Sequence, residues 1–261
     1  MLIHEGQVEA GLALLDEAML AVVTGELSPI MTGLIYCSVI DACQEIHAVR
    51  HAREWTAALA QWCEQQPQLV AFTSTCLVHR AEIMQLSGAW TEAMAEASRA
   101  CERSSQGLER SPPAAAFYRR AELHRLRGEL AAADEAYRAA SRLGREPQPG
   151  LALLRLSQGR TDAASAAIRR VVSATTDPLQ RAKLLPAHVE VMLAVGDIDE
   201  ARSACRALEQ IAATFGTEVL RARTTDSGAG APSTCTPCAL ASASGGHGSR
   251  LTTSTVPGRR A

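Results

Sequence analysis

Apolar and polar positions alternate with a period of three to four residues along most of this chain, and two stretches are near copies of each other. HRAEIMQLSGAWTEAMAEASRAC occupies 79–101, and RRAELHRLRGELAAADEAYRAAS occupies 119–141. Both read Arg-Ala-Glu-apolar-x-x-Leu-x-Gly, followed by a run in which alanines recur at helical spacing. That spacing predicts one amphipathic helix, a tight turn at the glycine and a second helix. Glycine suits the turn because it adopts positive φ where the first helix ends.

With the glycine as zero, the same register falls at Gly6, Gly88, Gly128, Gly159 and Gly196. The stretch REWTAAL places Arg53 in that role, because Trp55-Thr56-Ala57-Ala58 aligns with Trp90-Thr91-Glu92-Ala93. Five residues later stand Gly11, Ala58, Ala93, Ala133, Ala164 and Ala201; seven residues earlier stand Ala81, Ala121, Ala152 and Val189. Small residues at these places let the two helices approach closely. Such a pair cannot bury its apolar face alone, so its neighbours must stack on it. Prolines at Pro29, Pro67, Pro112-Pro113, Pro147, Pro149 and Pro178 mark unit starts, where a first helical turn tolerates a missing N–H.

Composition sharpens this reading. Of 261 residues, 47% are hydrophobic but only 3% aromatic, so Ala, Leu, Val and Ile must build the core. Ala and Leu are strong helix formers, which points to an all-α fold. The net charge of −2 provides no global field for nucleic acid or an anionic membrane. No secretory signal opens the chain, and the uncharged apolar run at residues 27–40 is too short to span a bilayer. The eight cysteines lack framework spacing, which suggests reduced thiols and a cytoplasmic protein.

Candidate chemistry is sparse. No phosphate-binding loop, dinucleotide fingerprint, zinc-protease or nucleophile-elbow motif is present, so neither an enzyme nor a cofactor is expected. Cys235-Thr236-Pro237-Cys238 has no second ligand pair for zinc and no strand–helix context for redox work. The other cysteines read as small buried hydrophobes, and Trp55 and Trp90 as packing residues.

The glycine at zero and the small residues at −7, +5 and +12 resemble the tetratricopeptide repeat, whose unit runs to about 34 residues. Successive zeros here are 47, 35, 40, 31 and 37 residues apart. More narrowly, CSVIDACQEIHAVRHAREWTAALAQWCEQQP, CLVHRAEIMQLSGAW, FYRRAELHRLRGELAAADEAYRAAS and REPQPGLALLRLSQGRTDAA are similar to the repeat region of actinobacterial LuxR-family transcriptional regulators. The similarity covers roughly residues 27–220. It implies a right-handed α-solenoid of TPR-like helix pairs whose function is recognition of a protein partner or effector. In that family a helix-turn-helix DNA-binding domain follows the repeats.

On this reading residues 1–28 form a partial first repeat, 29–222 the repeat array, and 223–261 a disordered tail rich in Ser, Thr, Gly and Pro. The abrupt change after residue 222 suggests a shifted reading frame or a linker. Without the helix-turn-helix, the chain is not expected to bind DNA specifically. A free-standing TPR adaptor is the alternative. In the repeat family, the positions six and three residues before each zero tend to line the concave groove. Here they hold His47, Glu82, Glu122 and Glu190, and Arg50, Gln85 and Arg125. They are the candidate contacts for a protein or peptide partner; the competing reading is a solvated face with weak i,i+3 pairs such as Glu122 with Arg125. Ala201, Ala204, Leu208 and Ile211 form an apolar stripe on the last complete helix, so weak self-association is expected there. No metal site and no membrane contact are expected.

Overall fold

A computed structural model describes residues 2–46, 48–66, 70–105 and 114–215, with the side chains of 70–73, 104 and 105 left aside. Among the described residues the secondary structure is entirely helical. A short 3-10 turn, Ile3–Glu5, precedes α1 (Val8–Val23), α2 (Pro29–Glu45), α3 (Val49–Gln65), α4 (Val70–Leu86), α5 (Trp90–Ser105) and α6 (Ala114–Leu126). There follow α7 (Leu130–Arg142), α8 (Gly150–Ser157), α9 (Thr161–Ala174), α10 (Pro178–Val195) and α11 (Ile198–Phe215). None of the described helices is long and apolar enough to cross a membrane.

Helices pair as α2/α3, α4/α5, α6/α7, α8/α9 and α10/α11, and each pair packs on the next. The first helices also touch in succession, α2 to α4, α4 to α6, α6 to α8 and α8 to α10. Alanine makes this possible: Ala81, Ala93, Ala121, Ala133, Ala152, Ala164 and Ala201 are all fully buried. The turns are as the sequence predicts, with φ of 77° at Gly88, 76° at Gly128, 72° at Gly159 and 82° at Gly196. Two helix starts follow the proline rule. Pro29 and Pro178 each enter a helix behind a capping residue, and Asp177 accepts a hydrogen bond from the Gln180 N–H at 2.8 Å. Pro67, Pro112 and Pro113 lie outside the described residues.

The second unit corrects the register. The helices α5, α7, α9 and α11 each start two residues after their glycine, whereas α3 starts at Val49 and contains Arg53. The zero therefore falls at His47, which lies outside the described residues. The Trp-Thr pairing misleads by six residues, because Trp90 opens α5 whereas Trp55 sits in the second turn of α3. With the shifted register, Ala52 and Leu59 take the buried +5 and +12 positions, at 1% and 0% exposure.

The chain also closes on itself. Ile3, Val8 and Ile46 belong to the same apolar cluster as Leu179, Leu185, Leu208, Ala212 and Phe215. His4 Nδ1 lies 3.1 Å from Asp177 and its Nε2 3.4 Å from Glu45. Gln180 donates to Glu45 at 2.5 Å, and Lys183 stands 3.9 Å from the same carboxylate. The expected bare stripe on α11 is thus covered from within: Ala201, Ala204 and Leu208 are buried, and Ile211 is partly so. Large exposed apolar side chains gather on α1 and α2, among them Leu20, Val23, Ile30 and Leu34, and stand singly on other helices, such as Leu86 on α4 and Ile198 at the start of α11.

Candidate functional site

Because α2 meets α10 at the closure, the first helices of the pairs surround a cavity of about 1060 Å³. Its walls come from α2, the start of α3, α4, α6 and α10, with the segment 145–149 ahead of α8 and the end of α9. That volume is at the upper end of the range typical for ligand sites, about 300–1,000 Å³.

Glu82 on α4 and Glu122 on α6 both line the cavity. Arg119 lies one helical turn before Glu122 and bridges to α4, reaching Glu82 at 2.7 Å and Gln85 at 3.1 Å. Glu122 accepts from Arg125 at 3.0 Å and from the Tyr137 hydroxyl of α7. The sequence candidates Glu82, Gln85, Glu122 and Arg125 are thus gathered on adjoining faces of α4 and α6. Of these only Glu82 and Glu122 are part of the cavity wall; Gln85 and Arg125 lie behind it, Arg50 is exposed in the first turn of α3, and Glu190 is exposed on α10. Arg50 entered the candidate set through the mistaken zero at Arg53. In the corrected register Asp41 and Gln44 hold the −6 and −3 places of the second unit, and both line the cavity.

Position −9, one turn before −6 on the same face, carries His79 in one unit and Arg119 in the next. Helical i,i+3 spacing could have flagged both. The His79 side chain is 4% exposed, and neither ring nitrogen makes a hydrogen bond. Asp41 Oδ1 stands 3.9 Å from its Nε2, too far for one. Burial pushes the imidazole below its usual value, with Asp41 and Glu82 pulling it partly back, so the ring is neutral near pH 7. The Asp41 carboxyl is pushed up, first by desolvation against the cavity wall; Glu82 and Glu45 add to this while His79 and Lys183 oppose it. Its side chain is 69% exposed, so water inside the cavity tempers the desolvation.

Deeper in the α6/α7 hairpin, Tyr118 packs edge-on to Tyr137 at 5.6 Å, and the Arg145 guanidinium lies 4.7 Å over the Tyr118 ring. Gly150 opens α8 against this pair. A Cβ there would stand 2.7 Å from the Tyr137 ring and closer still to the Glu122 carboxylate. Of the cysteines, Cys43, Cys76, Cys101 and Cys205 are buried and Cys37 and Cys63 half-buried; Cys235 and Cys238 lie outside the described residues. Trp55 packs against the α2/α3 core, whereas Trp90 is 43% exposed.

A solved structure shares this fold. The crystal structure of BtubC (BKLC) from P. vanneervenii is similar over 97% of this chain and 98% of its own, with a TM-score of 0.50 and 17% identity. At that identity the likeness establishes the helical fold alone. No family model and no curated protein matches the chain.

Proposed function

We propose that this chain is a TPR-like recognition module, a right-handed α-solenoid that receives a segment of a protein partner, or an effector, in its concave cavity. The observation that carries the reading is the cavity itself, walled mainly by first helices and lined with polar side chains at matching repeat positions. Repeat stacks use such concave surfaces for binding because successive units present equivalent side chains along them. The similarity in wording to LuxR-family regulators supports placing the module in a regulator of that type, where binding in the cavity would be the sensing event.

Peptides selected from a displayed library on the purified chain test the groove. Ala115→Trp, in the cavity wall, should abolish their binding, whereas Ala131→Trp, on the exposed side of α7, should not. A library that yields no binder, or binders indifferent to Ala115→Trp, defeats the reading.

A further inference from the structure

The cavity's charges are unevenly satisfied. Five carboxylates line it, Asp41, Glu45, Glu82, Glu122 and Glu146, against three cations, Arg119, Arg145 and Lys183. All three cations have partners on the wall: Arg119 holds Glu82 and Gln85, Arg145 stacks on Tyr118, and Lys183 faces Glu45. Asp41 is different. It is the most exposed of the acids near the closure and faces Glu82 and Glu45; Lys183, shared with Glu45, acts on it only at a distance, and the imidazole of His79 stands 3.9 Å away.

His79 supplies the independent sign. A buried imidazole with both nitrogens unsatisfied carries a desolvation cost that a native core rarely leaves uncompensated. It lines the cavity beside Asp41; both nitrogens are covered from solvent, so a donor held by the carboxylate reaches one of them as the ring turns toward it. A second anion there would face Asp41, Glu45 and Glu82 together. A neutral group would leave the surplus negative charge in place.

We infer that the Asp41–His79–Glu82 corner of the cavity is a receiving site for a cationic side chain, arginine or lysine, of a partner peptide. This rests on the recognition reading above and names the chemistry of what the cavity takes. The ammonium or guanidinium donates to Asp41 and to the free nitrogen of neutral His79, while Arg119 keeps Glu82 oriented from the other side.

The test is a side-chain NMR titration that follows the His79 ring in the full chain. The probe is an N-acetylated, C-amidated peptide, Gly-Ser-Gly-Arg-Gly-Ser-Gly, with citrulline in place of arginine as the neutral control. The His79 signal should shift saturably, and citrulline should weaken binding by about tenfold or more, the scale of one lost charge-assisted contact. Asp41→Asn, at an exposed position, should weaken the arginine peptide by a similar factor and leave the fold intact. Equal binding of the citrulline peptide, unaltered binding to Asp41→Asn, or no saturable shift up to about 10 mM would each overturn the site. Agmatine is the further arm: binding as tight as the peptide's also overturns the peptide assignment, leaving a small cationic effector. If library peptides sensitive to Ala115→Trp are neutral or acidic, the cationic class falls while the groove stands.

Discussion

The Tyr137 hydroxyl donates to the carboxylate of Glu122 across the α6/α7 hairpin, and Arg125 donates to the same carboxylate from within α6. Glu122 is therefore a half-buried acceptor with two committed partners, whereas a solvent-facing reading of its position expects its removal to be near neutral. Glu122→Ala should destabilise the chain by about 1–3 kcal/mol, because it leaves a buried hydroxyl and a partly buried guanidinium without their acceptor. Glu122→Gln should fall between the two. Chemical denaturation measures both, and a loss under about 0.5 kcal/mol, the usual scale of a surface change, would restore the solvent-facing reading.

Gly150 is tied to the same cluster by space. Adding one methyl at this helix start must displace both the Glu122 carboxylate and the Tyr137 ring, and Tyr137 is fully buried. Gly150→Ala should cost at least about 1–3 kcal/mol, the range for overpacking a filled site. Ordinary helix propensity predicts the opposite sign, since alanine favours helix over glycine. The direction of the change in melting temperature decides between them.

These two residues mark where the sequence was legible and where it was not. Glycine turns and alanine contacts follow from local constraints, positive φ and close helix approach, so Gly128 and Ala121 reveal their roles unaided. Glu122 does not, because its partner Tyr137 lies on the next helix and a glutamate at helical spacing reads as surface. In the second unit a Trp-Thr dipeptide points the register to Arg53, against the buried Ala52 and Leu59, and so hides the role of Asp41. His79 shares position −9 with Arg119, yet one is aromatic and one cationic, so no repeat of residue type drew attention to the face. The closure of Ile3 on α11 depends on contacts between opposite ends of the described chain, which no periodicity encodes.

The pH dependence of stability should report on His79. Its folded-state value is depressed below the ordinary 6.5, so the unfolded chain binds more protons in the window beneath 6.5. Stability then falls as pH drops from 6.5 through the folded value. His79→Gln removes that titration, so its melting temperature should decline less than the wild type's between about pH 7 and about pH 5.5. Glu200 and Asp177 have depressed values, and their losses begin only lower, below ordinary carboxylate values. Identical slopes for the two proteins would mean that His79 titrates normally.

DNA retention should be weak and should come from the segment after residue 222. Residues 1–222 carry 22 basic and 27 acidic side chains, while 223–261 carry four arginines and one aspartate. A few phosphate contacts give steep salt dependence and no base selectivity. Gel-shift titration at rising salt, with and without residues 223–261, measures this. Sequence-selective binding at physiological salt by the shortened chain is the outcome that sinks it.

The last expectation concerns what the N-terminal turn covers. Ile3 is 9% exposed and shares a cluster with Leu208, Ala212 and Phe215, and a Cβ placed on Gly6 would meet the Thr214 side chain at 3.4 Å. Ile3→Asp buries a carboxylate against this surface, or, more cheaply, peels the turn away. Peeling also draws His4 from Asp177 and Glu45, which loosens the contact between α2 and α10 that closes the cavity. The variant should therefore show a lower melting temperature, a larger radius of gyration by small-angle scattering, and concentration-dependent association through the uncovered α11 face. The chain with Ile3 in place should not associate through α11, because that stripe is already buried. His4→Ala separates the two effects: the exposed ion pairs contribute at most about 1 kcal/mol, so the apolar cover should hold and association should be absent. Should Ile3→Asp scatter as the wild type does at every concentration, the turn is not what closes the ring, and the cover over α11 must come from elsewhere in the chain.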